Sequence, residues 1–243
     1  YSFLNMQIKV ARALDPLIVV SDSTKLDVHK DFKIPMQRMV RIHHGIDHEL
    51  FTPQPHITRR KNRLMATASA DVPLKGLIYL IRAYHILLAD HPDLELVVVG
   101  RLREGQTMDE LNRLNIRDRV KFISGLSGED IRDLYAEATI AVSPSVYEGF
   151  GFPAGEALSC GVPLVATDGG SLPEVVGDAG IVVPHSNPPA MARAIDGLLR
   201  DEDLRADMSF KARQHILENF KWERCAREVV QLYRQTIAAQ KAA

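Results

Sequence analysis

From residue 62 onward the chain alternates short apolar runs with stretches whose apolar residues recur every three or four positions. The runs at 63–69, 94–100, 120–124, 140–143, 162–166 and 181–183 have the length of strands. They are continuously apolar rather than alternating, which predicts strands buried on both faces. Between them, Leu77, Leu80, Ile81, Tyr84, Leu87 and Leu88 fall on one helical face, as do Ile131, Leu134, Tyr135 and Ala138. Strands alternating with helices predict right-handed crossovers and a parallel sheet covered on both sides. The final third reads as three helices, at 187–199, 204–218 and 222–239. The last of these carries Ala226, Val229, Val230, Tyr233 and Ile237 as its expected buried stripe.

The first fifty residues differ. Strand-like runs at 17–20 and 39–43 lack enough neighbours to make a sheet. The stretch 51–62 (FTPQPHITRRKN) combines two prolines with a basic cluster and reads as a linker. The expected organisation is α/β: residues 1–54 as the tail end of an amino-terminal domain, and 55–243 as a second, carboxyl-terminal domain. The chain opens on Tyr1 rather than Met, which adds to the expectation of a piece of something larger.

Composition narrows the function classes. Thirty basic and 31 acidic side chains give a net charge of −1, so there is no basic footprint for nucleic acid. Two cysteines, Cys160 and Cys225, are too few for a disulfide framework and lack metal-ligand spacing, so a reducing, cytoplasmic compartment is expected. No run approaches the ~18 apolar residues of a membrane span. Peripheral membrane contact is left to a part outside these residues.

The chemistry concentrates in Glu148-Gly-Phe-Gly-Phe-Pro-Ala-Gly-Glu156, which follows a predicted strand and opens a helix with Pro153 as its expected first residue. Open parallel sheets bind ligands beyond the carboxyl ends of their strands. Glycines there let backbone approach a ligand, and N–H groups at the helix start attract phosphate. A carboxylate accepts from two neighbouring hydroxyls at once, which suits a sugar or ribose diol. Asp71-Val-Pro-Leu-Lys75-Gly76 stands at another strand-to-helix turn, where a lysine reaches a diphosphate. Gly169-Gly170-Ser171-Leu172-Pro173-Glu174 opens a third helix; its glycines admit a ligand, or the Glu simply favours the helix dipole.

Together these stretches resemble retaining glycosyltransferases of the two-domain GT-B architecture, family 4, whose E-x7-E motif matches Glu148 and Glu156. Pro144-Ser145, residues 161–184 (GVPLVATDGGSLPEVVGDAGIVVP), Val19-Val20-Ser21, His44-Gly45-Ile46-Asp47 and Phe51-Thr-Pro53 agree with it. The resemblance implies a GT-B Rossmann-like parallel sheet plus the end of a truncated amino-terminal Rossmann-like domain. It implies that Glu148 contacts the transferred sugar and that Glu156 binds the ribose. The backbone of Phe150, Gly151, Phe152 and Pro153 lies along the donor, and Gly170 lies beside the sugar. Lys75 with Gly76 holds the diphosphate and stabilises it as it leaves, and residues 122–126 lie near the nucleobase. The implied co-substrate is a nucleoside diphosphate sugar, with no metal or other cofactor and an acceptor hydroxyl on a glycan, lipid or small molecule. The final helix crosses back to the first domain in this family. Two positions depart from it: Ala70 stands where an arginine is usual, with Arg101 or Arg103 as substitutes, and His44 stands where Asn is usual. The rival readings are a nucleotide-sugar-binding module without catalysis and a degenerate structural relative.

Other signals carry less. His43, His44 and His48 sit in a hinge context rather than on a ligand helix. Asp201-Glu-Asp203 reads as a helix cap. No G-x-G-x-x-G follows the first strand, so a nicotinamide site lacks its fingerprint. A glycosidase pair would need both carboxylates flanking one bond.

Overall fold

The computed structural model describes residues 2–68 and 72–242. The six apolar runs become β3 (Arg63–Thr67), β4 (Glu95–Val99), β5 (Val120–Ile123), β6 (Ile140–Ser143), β7 (Leu164–Thr167) and β8 (Ile181–Val183). All pair in parallel, in the order β5-β4-β3-β6-β7-β8. This is the doubly wound order, reversing direction between β3 and β6. The two early runs are β1 (Leu17–Val19) and β2 (Met39–Arg41); rather than standing unpaired, they form a separate parallel ribbon.

Strand pleating splits the core between two faces. Leu64, Ala66, Ile140, Val142 and Val165 point to one side, against α3 (Leu77–Leu87), α4 (Gln106–Arg113) and α8 (Pro188–Arg200). Met65, Ala141, Leu164 and Ala166 point to the other, against α6 (Phe152–Ser159), α7 (Leu172–Val176), α9 (Glu202–Asn219) and Tyr135 of α5 (Gly128–Glu137). Ile46 and Phe51 belong to this second cluster, so the hinge is packed onto the larger sheet. Arg213 of α9 fastens it, donating to the carbonyls of His48, Phe51 and Ser159 at 3.0–3.1 Å. The amino-terminal unit comprises α1 (Ser2–Ala13), the β1–β2 ribbon and α2 (Asp22–Phe32), with its own small core of Val19, Ile34 and Met39.

Several boundaries move. β7 begins at Leu164 rather than 162 because the Val162 N–H turns back to the Ala157 carbonyl at 3.0 Å and closes the end of α6. β3 ends at Thr67, and Ser69, Ala70 and Asp71 lie outside the described residues. Asp201 is indeed a cap, its carboxylate accepting from Leu204 N at 2.8 Å. The stripe of α10 (Trp222–Ala242) is corrected: Val230, Tyr233 and Ile237 are 44%, 59% and 53% exposed. Nothing among the described residues covers that face of the helix.

Candidate functional site

The site forms where the sheet reverses direction. After β3 the chain makes a short 3-10 turn, Pro73–Lys75, and enters α3 through Gly76 at φ 63°. After β6 it runs through Pro144 and Ser145 to Gly151, the N-cap of α6. Val146 N donates to Leu74 O at 2.8 Å, joining the two loops. Gly76 lies so close to Pro144 that a Cβ there would overlap the Pro144 carbonyl.

This packing brings Lys75 and Glu148 together. Lys75 Nζ donates to Glu148 Oε1 at 2.7 Å, and Ser145 Oγ donates to the same oxygen at 2.7 Å. Ser145 was singled out only as a neighbour of the motif; its hydroxyl is what orients the carboxylate. The Glu148 backbone is held from behind, its carbonyl accepting from Ser171 N at 3.0 Å and Ser171 Oγ at 3.1 Å. Gly170, at φ 63°, lies directly against that carbonyl, so any Cβ there would overlap it. Gly170 therefore supports the loop that carries Glu148.

α6 starts at Phe152, with Pro153 second rather than first, and no side chain caps its amino end. Its first turn carries the positive end of its dipole and begins four residues beyond Glu148, whose carboxylate holds Lys75. Phe150 is 4% exposed and packs edge-on to Phe152 and Phe220, at 5.1 and 6.0 Å between ring centroids, so only its backbone is left for a ligand. Phe152 is 39% exposed and stacks on His44 at 5.4 Å. The hinge histidine thus packs against the motif, and burial holds its pKa below the usual range.

Glu156 occupies the second turn of α6, half-buried near Tyr135 and Cys160. Among the described residues it has no hydrogen-bond or ion-pair partner, and desolvation raises its pKa to about 7. A partly desolvated carboxylate without a protein donor is suited to accept hydroxyls from a ligand. The Tyr135 hydroxyl donates to Pro153 O at 3.0 Å and lies 3.2 Å from Thr67 Oγ1, fixing the start of α6 over β3. Arg101 and Arg103 lie exposed in the loop after β4. That loop borders a cleft of about 270 Å³ lined by Val72, Pro73, Leu77, Ile78 and residues 104–107.

Known proteins share this chain's sequence profile and its fold. The sequence profile of the family described as Glycosyl transferases group 1 matches residues 51–215. The chain is 38% identical to an MMP alpha-(1->4)-mannosyltransferase of Mycolicibacterium hassiacum, over 98% of this chain and 58% of that relative. Among solved structures it is similar to sucrose-phosphate synthase from Thermosynechococcus elongatus, with TM-score 0.79 and 25% identity over 97% of this chain and 62% of that one. Anabaena Alr3699/HepE, solved in complex with UDP and glucose, shares the fold, with TM-score 0.83 at 20% identity over 95% of this chain and 66% of that one. The chain therefore spans about three fifths of the length of these proteins, and its two-part α/β fold is that of the GT-B glycosyltransferases.

Proposed function

The chain belongs to the Glycosyl transferases group 1 family, and we propose that it forms the donor half of a retaining glycosyltransferase. The reaction moves a sugar from a nucleoside diphosphate sugar to an acceptor hydroxyl. The observation that carries this reading is the Lys75–Glu148 pair, joined at 2.7 Å across the switch point of the sheet on the loop that leads into the uncapped start of α6.

Lys75 supplies fixed positive charge where the diphosphate of the donor lies, and the α6 dipole adds to it. Both interactions strengthen as the bond to the anomeric carbon breaks and charge gathers on the leaving group, which is the condition for catalysis rather than mere binding. Glu148, held by Ser145 and Lys75, accepts hydroxyls of the sugar. Glu156 accepts the ribose diol, and its burial makes that exchange favourable. Positive charge comes here from a lysine and a helix rather than from a bound cation, so chelators leave the rate unchanged. The 38% identity to a mannosyltransferase makes a mannosyl donor the first to test. The unpaired cysteines fit a reducing, cytoplasmic setting.

We assign residues 1–54 to the acceptor side and hinge and 55–243 to the donor side. A second reading has this chain alone as a binding module. It is favoured by the exposed apolar residues Phe3, Leu4 and Val10 of α1 and Tyr233 and Ile237 of α10, which mark faces made for further protein. Calorimetric titration with GDP and UDP, set beside turnover of GDP-mannose and UDP-glucose, tests both. Saturable binding lost in Glu156→Ala and Lys75→Ala supports the donor site; turnover selects the enzyme over the module. A folded chain that binds neither nucleotide sinks the reading.

A further inference from the structure

The amino-terminal unit grips the loop that carries Glu148. Ser21, Thr24 and Asp27 recur every three residues and lie on one face of α2. Ser21 Oγ and Thr24 Oγ1 approach the Gly149 carbonyl at 2.9 and 3.2 Å, and the Tyr147 hydroxyl donates to Asp27 Oδ2 at 2.7 Å. The start of α2 therefore meets two positions of the segment, Tyr147 and Gly149, on either side of Glu148.

The opposite side of that segment is held by the turn into α7. Ser171 donates twice to the Glu148 carbonyl. Two successive carbonyls, those of Glu148 and Gly149, are thus fixed by different parts of the chain. These parts are tied directly to each other. Glu174 of α7 accepts from the backbone N–H groups of Asp22 and Ser23 at 2.8 Å each, across the boundary between the two units, and lies 3.4 Å from His43 Nε2. A carboxylate at the first turn of α7 thereby caps a helix more than 150 residues away in sequence.

We propose that Ser21, Thr24 and Glu174 form a latch through which the amino-terminal unit positions Glu148 against the donor sugar. The proposal rests on the donor-site reading above. Glu174 is a positioning residue: it acts on Glu148 through α2 and the Gly149 carbonyl. The latch predicts selective control. Nucleotide binding depends chiefly on Lys75, α6 and Glu156, to which Ser21, Thr24 and Glu174 make no direct hydrogen bond among the described residues, whereas recognition of the sugar depends on where Glu148 stands.

The test is calorimetric titration of this chain, wild type and variant, with GDP, GDP-mannose, UDP and UDP-glucose. Glu174→Ala removes the cap. Thr24→Val is near-isosteric, leaves the Ser21 cap in place and keeps the fold. In both, nucleoside diphosphate affinity is expected within about twofold of wild type. The ratio of sugar-nucleotide to nucleotide affinity falls about tenfold in Glu174→Ala. Glu174→Gln, which retains one acceptor oxygen, falls between. Hydrogen exchange gives the ligand-free readout, with the Asp22 and Ser23 amides losing about tenfold in protection together with the Ser171 amide that donates to the Glu148 carbonyl. Lost amide protection with an unchanged affinity ratio reduces Glu174 to a helix cap and overturns the latch. Equal losses for nucleotide and sugar nucleotide mean general loosening and overturn it as well. Wild-type chain that binds no nucleotide removes the donor reading and the latch with it, an outcome distinct from wild-type binding with indifferent variants.

Discussion

Replacing Glu156 with Gln is expected to stabilise the protein above neutral pH and to give no gain near pH 5. Burial alone moves this carboxyl from 4.5 to about 7, with no cation or donor among the described residues to offset it. Between those values the folded chain holds a proton that the unfolded chain has released. Stability therefore falls as pH rises through this window, and the whole cost is present above pH 7. At about 1.4 kcal/mol per pH unit, the ionised group costs on the order of 3 kcal/mol. The amide of Gln keeps the volume, and its own desolvation costs about 1 kcal/mol, which leaves a net gain of about 2 kcal/mol. For a chain of this size that corresponds to a rise in Tm of about 4–8 °C. Thermal unfolding at about pH 5 and pH 8.5 reads it directly. The same variant is expected to bind nucleotide more weakly, because an amide offers one neutral acceptor oxygen where a carboxylate offers two charged ones. A destabilised variant at both pH values, or a gain independent of pH, would refute the account of Glu156 as a strained, partnerless carboxylate.

Three further outcomes follow from the geometry. Lys75→Met should lower turnover of the donor about 10²–10³-fold, measured as release of nucleoside diphosphate, with a smaller loss in nucleotide affinity. Gly76→Ala places a Cβ on the Pro144 carbonyl, whereas Gly125→Ala has a similar positive φ, 78°, with nothing within 4 Å of the added carbon. The first should cost well beyond the ~1 kcal/mol of backbone strain expected for the second, and should weaken nucleotide binding as well, as denaturant melts and titrations will show. Tyr84 is fully buried, with its hydroxyl on the Leu94 carbonyl at 2.7 Å and the Arg119 carbonyl at 3.1 Å. Tyr84→Phe should cost about 1–2 kcal/mol in urea unfolding with donor binding intact.

Much of the fold was legible because parallel strands must be buried on both faces, so each appears as an uninterrupted apolar run. Burial, however, is not pairing: Val162 is fully buried yet closes the end of α6, while polar Thr167 ends β7 as a buried strand residue whose hydroxyl donates to the Ser145 carbonyl. The α10 stripe was misread for a related reason. Periodicity identifies an apolar face and says nothing of whether a partner lies against it. In the site, the glutamates and Lys75 were visible through a motif and its position after strands, but their supports were not. Ser145, Ser171 and Arg213 are ordinary residues whose roles arise from hydrogen bonds over distances the sequence does not display. Glu174 had a local reading, favouring its own helix dipole, and the structure gives it a long-range one as the cap of α2.

The central claim is that a nucleoside diphosphate binds where the sheet reverses. The most direct test is an amide chemical-shift map of the isotopically labelled chain during titration with GDP and UDP. The account predicts saturable shifts at Lys75, Gly76 and the start of α6, near Phe152 and Ala154, extending to Glu156. Shifts confined to another surface, such as the basic cleft of Arg59, Lys61 and Arg205 at the opposite end of the strands, or no shifts in a folded chain, would contradict it.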